Sequence, residues 1–222
     1  MKEEYTPLDL LEQGAAALGL TLARPELEQL GRYFEELKRW NARINLTGLK
    51  TDQDMAVRLF LDSLALLPFL GQAASLADLG AGAGFPGLVL KIVRPALALT
   101  LVESRGKKAA FLEYLVSLLK LPQVQVAHVT LTPALAARWG PRFAAVVSRA
   151  AFRLPALLEL AAPLLEPGGL LLAPKGPSLN EQELEQARGQ AARLGLNPPQ
   201  VQRYHVPYLT EPRLLVTIGR PG

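Results

Sequence analysis

The apolar positions of the first 70 residues recur at intervals of three and four. In "ELEQLGRYFEELKRW" they are Leu27, Leu30, Tyr33, Phe34, Leu37 and Trp40, which together make one helical face. Pro25 suits the first turn of that helix, where no N–H is required. A shorter helix is predicted over Leu8 to Leu18, and another over Met55 to Leu67 with Pro68 near its end. Between the last two lies "NARINLTGLKTDQD", polar and turn-like. From Ala74 the period changes. "SLADLG", "ALALTLVE", "VQVAHV", "FAAVVSR" and "GGLLLAPKG" read as short buried strands. The helical stretches that follow them are about Phe85 to Val93, "KKAAFLEYLVSLLK", "PALAARW", "PALLELAAPLL" and "NEQELEQARGQAARLG". Strands alternating with helices imply an α/β fold with a parallel sheet covered on both faces. Two more strand-like runs, "QVQRYHV" and "RLLVTIG", close the chain with no helix between them, so they pair as a hairpin and one runs antiparallel to the rest. The reading is a helical cap over residues 1–72 and a Rossmann-like domain of seven strands over residues 73–222.

The first strand runs into "ADLGAGAGFPGL", four glycines within eight positions. Glycine costs backbone entropy, so such a cluster needs a reason. Gly82, Gly84 and Gly87 match GxGxxG, which marks dinucleotide binding when it joins a strand to a helix. Glu103 ends the next strand, where its carboxylate would accept from both ribose hydroxyls of an adenosine. The register of the glycines narrows the ligand: Asp78 stands two residues before Gly80, ahead of Gly82 and Gly84. A pyrophosphate would be repelled by Asp78, and Pro86 removes an N–H from the turn that would cradle phosphate. The ammonium of S-adenosylmethionine instead calls for an anion, and its carboxylate can use a helix N-terminus. The turn and strand "LLEPGGLLLAPKG" and the terminal hairpin also look like the class I S-adenosylmethionine-dependent methyltransferase fold.

Composition removes several alternatives. The 222 residues are half apolar, enough for one domain with a good core, and contain no cysteine, which excludes disulfides, thiol catalysis and Cys-bound zinc. His128 and His205 are far apart and are read as packed or surface residues, so no metal is expected. No apolar stretch reaches the ~18 residues of a membrane span. "MKEEYTPLDL" is acidic and mixed, unlike a signal peptide. The expectation is a cytoplasmic monomer. The net charge of +4 and pI near 9.5 permit a polyanionic partner.

Ligands of open parallel sheets sit where the winding reverses, at the ends of the first and fourth strands. That places Ser148 and Arg149 beside the cofactor, with Arg149 holding cofactor or substrate. Cytosine C5 methylation normally uses a cysteine, which this chain lacks. Exocyclic amine methylation commonly uses [DN]PP[YF] after the fourth strand, where this chain has "SRAAF"; "NPPQ" at Asn197 to Gln200 is a helix stop and turn. An acceptor with a free lone pair, such as guanine N7, needs no general base, only positioning and a suitable field. Arg105, Lys107 and Lys108 start a helix, where the macrodipole disfavours cations, so an anionic partner is implied. Other readings stay open at this point: a small-molecule methyltransferase, an NAD(P)-dependent oxidoreductase (which lacks a Tyr-x-x-x-Lys pair here), and a non-catalytic nucleotide-binding regulator.

"WNARINLTGLK", "FLDSL", "DLGAGAGFPGLVLKIVRP", "GKKAAFL", "SRA" and "PKG" occur in order over about residues 36–220. With them the chain resembles the RsmG (GidB) family, which methylates N7 of a guanine in a hairpin loop of bacterial 16S ribosomal RNA. The resemblance implies cofactor contacts at Gly80, Phe85, Glu103 and Arg149, and RNA or active-site roles for Lys107, Lys108, Arg149 and Lys175. Asn45 and Thr47 in the cap, with Asp62 and Ser63, belong to matched motifs; Asn45 is taken as RNA-binding. The implied partner is 16S RNA or a 30S precursor. Two places depart from the family pattern. Arg58-Leu59 stands where a basic residue and His are usual, and "HVTL" at His128 to Leu131 stands for "GRAE". The adenine contact then falls to Thr130 and Leu131.

Overall fold

A computed structural model describes residues 6–222, so the first five residues of the predicted cap, and with them the start of the N-terminal stretch read as unlike a signal peptide, lie outside the described residues. Helix α1 (Pro7–Ala17) starts at Thr6, whose side chain accepts from Asp9 N–H while Asp9 returns a bond to Thr6. Helix α2 (Arg24–Ile44) turns Leu30, Tyr33, Phe34 and Leu37 into the core, as its spacing predicted. The predicted third helix is longer at its start and irregular. It begins as α3 (Asp52–Met55), continues as a π-helical segment over Ala56–Leu61 and returns to α-helix as α4 (Asp62–Leu64). Every residue from Met55 to Leu66 except Arg58 is buried, so packing on all sides overrides local preference. A 3₁₀ turn over Leu67–Leu70 leads to the sheet.

The sheet has the order β3-β2-β1-β4-β5-β7-β6. Its strands are β1 (Ser75–Leu79), β2 (Ala98–Glu103), β3 (Val124–His128), β4 (Phe143–Val147), β5 (Leu165–Lys175), β6 (Gln200–Tyr204) and β7 (Arg213–Gly219). The first five run parallel, and β7 is antiparallel to both its neighbours. Helices α5 (Gly87–Val93), α6 (Gly106–Leu118), α7 (Pro133–Trp139), α8 (Leu154–Ala161) and α9 (Glu181–Arg193) cover its faces. Helix α5 starts two residues later than predicted, because residues 80–86 are spent on the turn. The winding reverses between β1 and β4, so their carboxyl ends, Leu79 and Val147, open the crevice.

One continuous hydrophobic cluster joins the N-terminal helices to a face of the sheet, and a second cluster, with α8 and α9, fills the other face. The junction is aromatic. Tyr33 stacks on Phe85 with centroids 5.0 Å apart, and Phe60 meets Phe85 edge-on at 4.9 Å. The fully buried Tyr33 hydroxyl donates to the Ala83 carbonyl at 2.5 Å, so a cap helix grips the glycine loop directly.

Candidate active site

Three glycines of the loop, Gly80, Gly82 and Gly84, have left-handed backbone. At Gly80 (φ +73°) a Cβ would stand 2.5 Å from the Cβ of Ala151, and at Gly84 it would meet Leu88 and the Tyr33 hydroxyl. Among the described residues, every N–H group of the turn except that of Ala83 is already bonded. Those of Gly80 and Ala81 go to the Val102 carbonyl, and those of Gly84 and Phe85 to the Ala81 carbonyl. Gly82 N–H goes to Glu103 and Gly87 N–H to Asp78. Pro86 has none. One unspent N–H does not make the cradle of several that binds a pyrophosphate.

The two carboxylates differ in role. Glu103 is 6% exposed; its Oε2 accepts from Gly82 N–H and its Oε1 from Arg105 N–H, both at 2.8 Å. It clamps the ends of β1 and β2 together, and each oxygen keeps a lone pair for a ribose hydroxyl. Asp78 is fully buried. Its Oδ2 accepts from Gly87 N–H at 2.8 Å, while Oδ1 has no partner among the described residues. Burial pushes its pKa up to about 7, against the pull of the Gly87 N–H and of Arg149. The sequence places Asp78 near the cofactor ammonium; in the structure it is a buried strut beneath the turn and does not line the cavity.

That cavity holds about 240 Å³ and is walled by the backbone of Gly80 to Ala83, by Phe85, Lys108 and Arg149, and by Leu46, Thr47 and Leu59 from the cap. Arg149 lies 5.5 Å over the Phe85 ring. Its Nη1 donates to the Arg58 carbonyl at 3.1 Å and to Asp62 Oδ2 at 3.4 Å. Asp62, 1% exposed, also receives Tyr204 Oη at 2.9 Å and Arg213 Nη2 at 3.3 Å. Burial raises the Tyr204 phenol far above its usual range, and the neighbouring Asp62 carboxylate adds to this.

The structure gathers part of the predicted set. Gly80, Gly82, Phe85, Lys108 and Arg149 line the crevice, Glu103 is bonded to Gly82 N–H beside it, and Gly84 lies in the turn behind. Asn45 is exposed in left-handed backbone, next to the wall residues Leu46 and Thr47. Arg105 and Lys107 are exposed where α6 begins, outside the cavity wall. Thr130 is exposed beyond β3, and Leu131 packs into the second core cluster; neither lines the cavity. Lys175 is not in the wall either. Its Nζ meets Glu183 Oε1 at 3.1 Å, and the same oxygen accepts from Leu154 N–H at 2.7 Å. Lys175 is thus a strut between β5 and α9, not a free cation. The helical spacing places Tyr33 in the core but does not show its bond to the glycine loop, and nothing in the sequence marks Tyr204 or Arg213. Asp62 carried a signal: a carboxylate inside the apolar run "RLFLDSLALL" must be paired if it is buried.

Residues 26–211 match the family described as rRNA small subunit methyltransferase G. A protein of that name from Roseiflexus sp. (strain RS-1) is 41% identical over 215 residues, 96% of this chain and 91% of the relative. One from Geobacter sp. (strain M21) is 39% identical over 212 residues, 96% of this chain and 97% of the relative. Among solved structures, a putative O-methyltransferase from Klebsiella pneumoniae superposes with a TM-score of 0.60 at 17% identity, covering 96% of this chain and all of that one. A putative S-adenosyl-L-methionine-dependent methyltransferase from Methanococcus maripaludis gives 0.57 at 10% identity, covering 76% and 90%. These two likenesses establish the fold.

Proposed function

The chain belongs to the rRNA small subunit methyltransferase G family, and on that premise we propose that it transfers a methyl group from S-adenosylmethionine to N7 of a guanine in a hairpin loop of 16S ribosomal RNA. The observation that carries the cofactor is the nearly spent turn: all its N–H groups but that of Ala83 serve the protein's own acceptors, while each Glu103 oxygen takes one N–H and keeps a lone pair. A dinucleotide needs several free N–H groups in the turn; a nucleoside without phosphate needs only the carboxylate. Bound there, S-adenosylmethionine supplies an electrophilic methyl carbon on a positively charged sulfur.

What the protein's residues contribute is placement. Glu103 holds the ribose, and the walls at Gly80 to Ala83 and Phe85 fix the depth of the nucleoside. Guanine N7 brings its own lone pair. The new N–C bond forms as the C–S bond breaks, its electron pair stays on sulfur, and no base need remove a proton. Arg149 orients the acceptor edge through O6 or a flanking phosphate, because N7 must stay free. Arg105, Lys107 and Lys108 meet backbone phosphates near the mouth. The protein acts as a monomer in the cytoplasm, on RNA or a 30S precursor.

Calorimetry with S-adenosylmethionine and with NAD tests the cofactor: heat from the first alone is expected, and heat from NAD alone overturns the reading. Labelled methyl groups should enter 16S RNA or 30S particles. Label confined to small metabolites would place the chain's chemistry elsewhere.

A further inference from the structure

Asp62 stands where four elements converge. It lies on α4, Arg149 follows β4, Tyr204 ends β6 and Arg213 begins β7. Two guanidiniums share one carboxylate oxygen, Arg149 Nη1 at 3.4 Å and Arg213 Nη2 at 3.3 Å from Oδ2. The cap supplies a second grip. Backbone bonds in the π-helical segment reach five residues back, as from Asp62 N–H to the Val57 carbonyl, and the Arg58 carbonyl in that segment takes Arg149 Nη1 at 3.1 Å. The arginine is thus held from one side by the cap and laid over Phe85 on the other.

We propose that Asp62 is a positioning residue for methyl transfer, acting through Arg149. Without its carboxylate the two arginines face each other uncompensated, and Arg149, whose side chain is 19% exposed, is free to turn toward solvent. The carboxylate has a second effect. Methyl transfer brings a cationic sulfur, then a cationic base, near the Arg149 guanidinium, and a paired guanidinium repels them less than a lone one. The π-helical segment, which the helical periodicity did not foretell, belongs to the same device, because it brings Asp62 and the Arg58 carbonyl to one arginine.

This rests on the reading of Arg149 as the residue that orients the acceptor. The test is a double-mutant cycle in single-turnover methylation of RNA at saturating cofactor, with Asp62→Asn, Arg149→Lys and the pair. Asp62→Asn is expected to cut the rate about a hundredfold, the scale of a misplaced reacting group, with RNA affinity little changed. The pair is expected to be no slower than the slower single variant, because both changes remove one placement. Asp62→Glu keeps the charge but moves it by a methylene; it is expected to lose rate too, and it runs the same cycle if Asp62→Asn does not fold. Losses that multiply, with Arg149→Lys itself impaired, would mean that Asp62 serves only the fold and would overturn this inference alone. An Arg149→Lys rate equal to the parent's would overturn both the inference and the role of Arg149.

Discussion

Replacing Asp78 by Asn should change how stability depends on pH. In the folded protein this carboxyl is fully buried and its pKa is raised from 3.8 to about 7, chiefly by burial. The folded state therefore holds the proton more tightly than the unfolded chain does. The contribution is fully present below the unfolded value and is lost as pH rises toward the folded value. At about 1.4 kcal/mol per pH unit the loss approaches 4 kcal/mol, of which about 2 kcal/mol falls between pH 5.5 and 7. Asparagine has no such loss. Its amide oxygen can still accept from Gly87 N–H, now at 2.8 Å from Oδ2, and its NH₂ takes the place of the unpartnered Oδ1 at a cost of about 1–3 kcal/mol that does not vary with pH. The assay is thermal unfolding of parent and variant across pH 5.5 to 7.5, taking the difference so that other titrating groups cancel. At about 2–4 °C per kcal/mol for a chain of this size, the variant should gain roughly 4–8 °C on the parent over that range. A gap between the two that stays constant with pH would refute the reasoning.

Glu103→Ala should weaken S-adenosylmethionine binding by about 1.5–3 kcal/mol for each ribose hydroxyl that loses its charged acceptor, measured by calorimetry; unchanged affinity would move the pocket. Neutralising Arg105, Lys107 and Lys108 together should flatten the salt dependence of RNA binding by about 0.7–0.9 log units of slope per lost phosphate contact and leave cofactor affinity alone, whereas an unchanged slope marks them as a solvated cluster. Tyr33→Phe should destabilise the protein by about 1–3 kcal/mol, because the Ala83 carbonyl loses its donor in a buried setting, and denaturant unfolding that matches the parent's would contradict that grip.

The fold was legible because its signals are local and periodic. The helical face of α2 and the short buried runs of β1 to β5 follow from residue spacing, and the antiparallel β7 follows from a connection too short for a crossover. The glycine turn was legible for the same reason, since its residue types are dictated by backbone conformation. What escaped depends on tertiary partners. Nothing local shows that Asp78 braces the turn; its burial and its bond from Gly87 N–H do. The resemblance gives Lys175 an RNA or active-site role, and only the fold shows α9 bringing Glu183 to it. Tyr204 and Arg213 lie 142 and 151 residues from Asp62, so their meeting exists only in the folded sheet. The π-helical segment likewise reflects packing around Met55 to Leu66, which a 3.6-residue period does not encode.

In the proposed reaction a nitrogen lone pair of ribosomal RNA attacks a methyl group held beside Arg149. Its most direct test is to label 16S RNA and 30S particles with methyl-tritiated or heavy-methyl S-adenosylmethionine and locate the label by nuclease digestion and mass spectrometry. A single 7-methylguanosine from one hairpin loop is expected, and its loss with Arg149→Ala. Label on an exocyclic amine, on a ribose oxygen or on a pyrimidine carbon, or full labelling by the Arg149→Ala variant, would contradict it.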